Sequence, residues 1–212
     1  MIEKLNMHEV REHYDERYNC HQRLSKLLKN GKTTDFLDLA LGISDPIGNF
    51  SAREHGLGPQ ILSVNRSTSI IELAKSFLSE TDPNKMVDLI YKEKIKFLKI
   101  SVGSEMAMML KPSNFWVANV RTVWTHLLLK HSYDLGKANE ELKLYRSQEM
   151  NSEMEYKIWK EIYRPMKPSI LKVCEKGNAV AVKQRAESGS LPYMWFDAIA
   201  NALYEQFATN KG

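Results

Sequence analysis

The feature that most constrains this chain is an apolar run between Ser113 and His131, in which Trp116, Val120, Val123, Trp124 and Leu127 recur at helical spacing. A stripe this apolar needs a core around it, so the run predicts a central helix over 113–131, opened by Pro112 and Ser113. Turn-forming residues are scarce, with ten Gly and seven Pro in 212 residues. Sheet proteins need many turns, so the scarcity favours long helices and an all-α fold. The expectation is a single compact domain over 1–212, of about 8–10 helices around the central one. Residues 1–30 are a candidate helical arm and 165–212 a candidate C-terminal helical subdomain. A chain of this length buries a core without disulfide or metal support.

Punctuation along the chain locates the other helices. Residues 7–29 read as the first, ended by Asn30-Gly31, because both residues tolerate the left-handed conformation of a helix C-terminus. Thr34 is a candidate cap for a second, carrying Phe36, Leu37 and Leu39. Ser69-Ile70-Ile71-Glu72 has capping-box spacing. Asp82-Pro83 places a cap before a proline, opening a helix expected to reach Ile100, with a shorter one over 105–110. Asp134 is a further candidate cap. Ser152 to Glu155 opens a helix expected to stop before Pro165 and Pro168, and two more follow near 169–188 and 193–208. Residues 42–66 stand apart, holding four of the ten glycines (Gly42, Gly48, Gly56, Gly58) with Pro46 and Pro59. They read as one long loop, and long loops inside domains are often functional.

Several kinds of chemistry are excluded by the motifs the chain lacks. No dinucleotide-binding GxGxxG opens a helix after a strand, and neither a P-loop nor a GxSxG elbow is present. Gly56-Leu57-Gly58-Pro59 is no phosphate loop, because proline removes a backbone donor. His8 and His13 miss the HExxH pattern: five residues apart, they diverge by about 140° around a helix. His13 and His21 share a face, but Arg17 lies between them and a cation opposes metal binding. Neither metal nor cofactor is expected. The two cysteines, Cys20 and Cys174, form no CxxC pair and read as buried free thiols. No stretch reaches 18 apolar residues, and the N-terminus is charged from its third residue. The expected location is therefore the cytoplasm, with no membrane partner.

Arg121 and His126 are the one pair with a nameable catalytic geometry, in Arg121-Thr122-Val123-Trp124-Thr125-His126. The segment resembles the R-x4-H signature of HEPN-domain ribonucleases, all-helical proteins in which Arg and His of two protomers meet at a dimer interface. The resemblance implies a metal-independent ribonuclease and a homo-oligomer. His126 would then act as acid or base near the RNA 2′-hydroxyl, and Arg121 would stabilise the phosphate. Thr122 departs from the Asn, Asp or His often found after that arginine. The alternative is a polar pair on a core helix, with Arg121 meeting a carboxylate such as Glu105.

Charge supplies a different reading. Thirty Lys and Arg against 26 Asp and Glu give a net +4, compatible with a polyanionic partner. On a helix continuing to Ile100, Lys92, Lys96 and Lys99 fall at i, i+4 and i+7, with Lys85 further back. Such a stripe attracts phosphate backbones without reading sequence. The 42–66 segment adds Asp45, Ser51, Arg53, Glu54 and His55, followed by Arg66, a set able to hold a phosphate. Lys167, Lys172, Lys176, Lys183 and Arg185 lie close in sequence to Tyr193 and Trp195, aromatics available for base stacking. The last two helices are poor readers of DNA, since the second offers Asp197, Asn201 and Glu205. The leading expectation is a basic helical protein binding RNA or single-stranded nucleic acid through Arg53, Arg66, Lys85, Lys92, Lys96 and Lys99. The alternatives are the ribonuclease using Arg121 and His126, and a helical protein–protein interaction or adaptor module.

Overall fold

The structure, a computed structural model, describes residues 1–145 and 153–208, and of 153–157 the backbone alone. Among these residues the fold is all-α. In chain order the helices are α1 (Met7–Lys29), α2 (Thr33–Ala40), α3 (Phe50–Glu54), α4 (Leu57–Val64), α5 (Ser67–Ser79), α6 (Met86–Glu93), α7 (Ile100–Leu110), α8 (Val120–Lys130), α9 (Leu135–Leu142), α10 (Glu153–Gln184) and α11 (Pro192–Phe207). Short 3-10 turns fall at Ile2–Lys4, Pro46–Gly48, Pro83–Lys85 and Lys143–Tyr145. No helix among the described residues is long and apolar enough to cross a membrane.

Contacts divide the chain into two units, Met1–Asp15 with Val120–Gly212, and Glu16–Asn119. In the first, α8 packs on α9, α10 and α11, and α10 packs on α11. From Tyr193 to Ala200 every residue of α11 is buried, the pattern of a helix with a core on all sides. Gly177 of α10 makes the close approach, since a Cβ there would overlap the Ile199 side chain. In the second unit α7 takes the central place: every residue from Val102 to Leu110 is buried, and α3, α5 and α6 pack around it.

The apolar run of 113–131 is therefore not one helix. Phe115, Trp116, Val117 and Ala118 are fully buried but non-helical and belong to the second unit. The Ala118 N–H donates to the Ser104 hydroxyl at 2.9 Å instead of to a carbonyl four residues back. Helix begins at Val120, in the first unit. A run apolar on every side fits a buried extended segment as well as a helix, and periodicity alone does not separate them.

Two further expectations are corrected. Residues 42–66 are not a loop: the Pro46–Gly48 turn, α3 and α4 occupy most of the span, with Asp45 and Asn49 as caps. Gly48 and Gly58 serve close packing there, because a Cβ on either would sit inside contact distance of the Leu39 or Leu41 carbonyl oxygen. The prolines at 165 and 168 do not end α10, which continues to Gln184. Both lie on its exposed side, where the carbonyls they leave without a donor are open to solvation.

Candidate nucleic-acid interface

The lysine stripe expected on one long helix does not form. Helix α6 stops at Glu93, Lys94 takes a left-handed conformation (φ 51°), and Phe97 takes another (φ 67°). Buried Ile95 and Leu98 pin the intervening turn to the core. Lys92 is thus in the last turn of α6, Lys96 is on the turn, and Lys99 is the N-cap residue of α7.

A different arrangement brings some of these cations together. The Asn65 side chain reaches the 94–97 turn, accepting from the Lys96 N–H at 2.9 Å and donating to the Lys96 carbonyl at 2.9 Å. The same amide donates to the Ile61 carbonyl at 2.8 Å, closing the end of α4. A side-chain amide that completes both hydrogen bonds of one residue acts as a short length of sheet ladder and fixes two segments in register. Arg66, next in the chain after Asn65, is exposed, as is Lys96, and exposed Lys92 and Lys94 lead into the same turn. None of Arg66, Lys92, Lys94 and Lys96 forms an ion pair with a described residue. Glu93 is the half-buried acid among them.

Arg53 and Lys85 lie elsewhere. Arg53 is exposed in the last turn of α3, separated from Arg66 by the length of α4, about 12 Å at 1.5 Å per residue. Lys85 lies 3.8 Å from the Glu80 carboxylate, before the start of α6. Lys99 is half-buried. Asp45 caps the 3-10 turn and accepts from Arg23 at 2.6 Å, while Ser51 is buried. Tyr193 and Trp195 are buried rather than available for stacking; the Trp195 indole donates to the Asn178 side chain at 2.9 Å. Asn65 and Lys94 join the 94–97 turn without any motif in the sequence to mark them. Asn65 is the C-cap residue of α4 in an extended conformation, and its local sequence does not mark the bonds to Lys96.

Arg121 and His126 both lie on α8 and have separate partners. The Arg121 guanidinium stands 6.0 Å from the centre of the Tyr204 ring. His126 is 7 % exposed, with Nδ1 2.8 Å from the Ser169 hydroxyl. Burial, reinforced by nearby Lys130, pushes its pKa down to about 4, so the ring is neutral at pH 7. Glu105 is engaged with Arg17, at 2.6 Å, and His21 Nδ1 donates to the Met109 carbonyl at 2.7 Å. Both cysteines are buried free thiols.

No protein-family model, curated protein or solved structure matches the chain.

Proposed function

We propose that the Glu16–Asn119 unit binds nucleic-acid phosphates at the edge formed by Arg66, Lys92, Lys94 and Lys96. The observation that carries this reading is the Asn65 bridge to the backbone of Lys96, which holds two basic segments thirty residues apart in one register. Cations held in place lose less freedom on meeting a phosphate than cations on independent loops. The net charge of +4 favours the encounter with any polyanion. With no base-reading helix carrying these side chains, the contacts are to the backbone and position the strand without specifying its sequence.

The test is binding of a fluorescent oligonucleotide across a salt series. Four phosphate contacts predict a log–log slope of about −2.8 for a single strand and about −3.6 for a B-form duplex. Arg66→Gln and Lys96→Gln should each flatten the slope by about 0.7 to 0.9. Affinity independent of salt, or unaltered by both substitutions, overturns the reading.

A further inference from the structure

We infer that Asn30 is a site of spontaneous, irreversible modification, its side-chain amide converting to aspartate and isoaspartate through attack by the Gly31 nitrogen. The inference is independent of the phosphate reading. Asn30-Gly31 is the one Asn-Gly pair in the chain, and it falls in the turn between α1 and α2. Every residue from Lys29 to Asp35 is exposed, so water and base reach both reacting groups. Glycine matters on the attacking side: it has no Cβ to crowd the nitrogen, and nothing lies within 4 Å of where one would stand. The Gly31 nitrogen gives its proton to base and bonds to the side-chain carbonyl carbon of Asn30, Cγ. The bond from Cγ to the side-chain nitrogen breaks, and ammonia leaves with a proton taken from water. A five-membered imide remains, which water opens at either carbonyl. Breaking the bond from Cγ to the Gly31 nitrogen gives aspartate. Breaking the bond from the Asn30 main-chain carbonyl to that nitrogen gives isoaspartate, whose main chain is one carbon longer. The sum is amide and water giving carboxylate and ammonium, with water as the only co-reactant.

The fold governs when this happens. At the end of α1 the Gly31 N–H donates to the Leu28 carbonyl at 3.2 Å and the Lys32 N–H to the Leu27 carbonyl at 3.0 Å, with Gly31 left-handed at φ 67°. This is the Schellman arrangement that closes a helix. It occupies the hydrogen that Gly31 must surrender, so the nitrogen attacks only when the helix end has opened. Helix ends with few buried contacts open most readily, and these two bonds are what must break. The products then keep the end open. Isoaspartate inserts a main-chain carbon between Leu28 and Gly31, which takes both N–H groups out of register with their carbonyls. Either product also places a carboxylate at a helix C-terminus, where the dipole favours cations such as Lys26 and Lys29.

The experiment incubates the full chain at neutral pH, in buffer and in urea, and follows its peptides over time by mass spectrometry. The Asn30 peptide should gain about one dalton, as a side-chain NH2 becomes OH, with isoaspartate separating as a second peptide of the same mass. In urea Asn30 should react before any other asparagine of the chain. The rate in buffer should be lower than in urea by roughly 5- to 150-fold, the factor that two backbone hydrogen bonds supply. Gly31→Ala should slow the reaction several-fold in urea, where folding plays no part, and Asn30→Gln should leave the peptide at its starting mass. No gain at Asn30 in buffer, or a Gly31→Ala chain that reacts like the parent in urea, overturns the proposal. Equal rates in buffer and in urea overturn the control by the helix end. In the purified isoaspartate form, hydrogen exchange at Gly31 and Lys32 should lose its protection; protection equal to the parent's overturns the effect on α1.

Discussion

The Arg17 guanidinium lies 2.6 Å from the Glu105 carboxylate, with 0 % and 1 % of the two side chains exposed. The pair does more than neutralise itself. Glu105 accepts the backbone N–H groups of Phe50 and Ser51 at 2.9 Å each, supplying acceptors to the first turn of α3, and Arg17 donates to the Ile47 carbonyl at 2.9 Å. A helical stretch that looks like a loop in sequence is thus fastened to α1 and α7 by one buried ion pair. Burial alone would raise the Glu105 pKa, but Arg17 and these N–H donors outweigh it and hold the carboxyl below its usual range.

Removing one partner leaves a buried charge uncompensated, so Arg17→Met should cost about 3–5 kcal/mol in urea denaturation. Replacing both by apolar residues should recover only part of that loss, because the N–H groups of Phe50 and Ser51 would still lack the carboxylate. A double variant as stable as the parent would show that Glu105 adds nothing as a cap.

Gly48→Ala is expected to destabilise by about 2 kcal/mol or more, as overpacking does when the backbone must yield. A Cβ at this position would meet the Leu39 carbonyl oxygen and carbon, neither of which can rotate away. Gly31→Ala gives the contrast: nothing lies within 4 Å of the added carbon, and the cost there is only that of a left-handed alanine (φ 67°), about 1 kcal/mol. Thermal melts of the two variants check the ordering.

Acid titration should expose His126. Its folded pKa of about 4 lies below the ordinary value of 6.5, so the unfolded chain binds the extra proton first. Its contribution is complete above pH 6.5 and is lost as the pH falls toward 4, on the order of 3 kcal/mol in all. Glu105, with a depressed pKa, adds its own loss only below the ordinary carboxylate range, at more acid pH. His126→Gln should flatten the stability curve between pH 6.5 and 4 and leave the steeper fall below it. An unchanged slope in that window would mean that His126 is protonated as easily in the folded protein as in the unfolded chain.

The parts of this fold legible in the sequence are those with local causes. Gly31 follows α1 with φ 67°, as Asn30-Gly31 implies, and Asp134 accepts the Lys137 N–H at the start of α9. Other boundaries were set from a distance. Nothing in Lys94-Ile95-Lys96-Phe97 marks a helix end, since no glycine, asparagine or proline is there to take the positive φ. The break is held by the burial of Ile95 and Leu98 and by Asn65, thirty residues earlier. Arg17 is a similar case. It falls on the buried stripe of α1 between Tyr14 and Cys20, where an apolar residue would be usual, and its partners Glu105 and the Ile47 carbonyl come from distant segments. The candidate site was legible as a list of cations, of which Lys92 leads into the turn of Lys96 and Arg66 follows the asparagine bonded to that turn. Arg53 and Lys85 could not be separated from them without the fold.

Asn65 offers a way to loosen that edge without altering its charge. Asn65→Ala removes the acceptor for the Lys96 N–H and the donors to the Lys96 and Ile61 carbonyls, and should cost about 1–3 kcal/mol. Asn65→Asp keeps the acceptor but turns a carboxylate oxygen toward two carbonyl oxygens, and adds a negative charge beside Lys96 and Arg66. Oligonucleotide affinity should therefore fall in the order parent, Asn65→Ala, Asn65→Asp. For Asn65→Ala the salt slope should stay near the parent value, since all four cations remain. For Asn65→Asp the slope should flatten by about one contact, roughly 0.7 for a single strand, because the new carboxylate competes with a phosphate. If both variants bound as tightly as the parent, the cations would be acting independently and the bridge would have no part in presenting them.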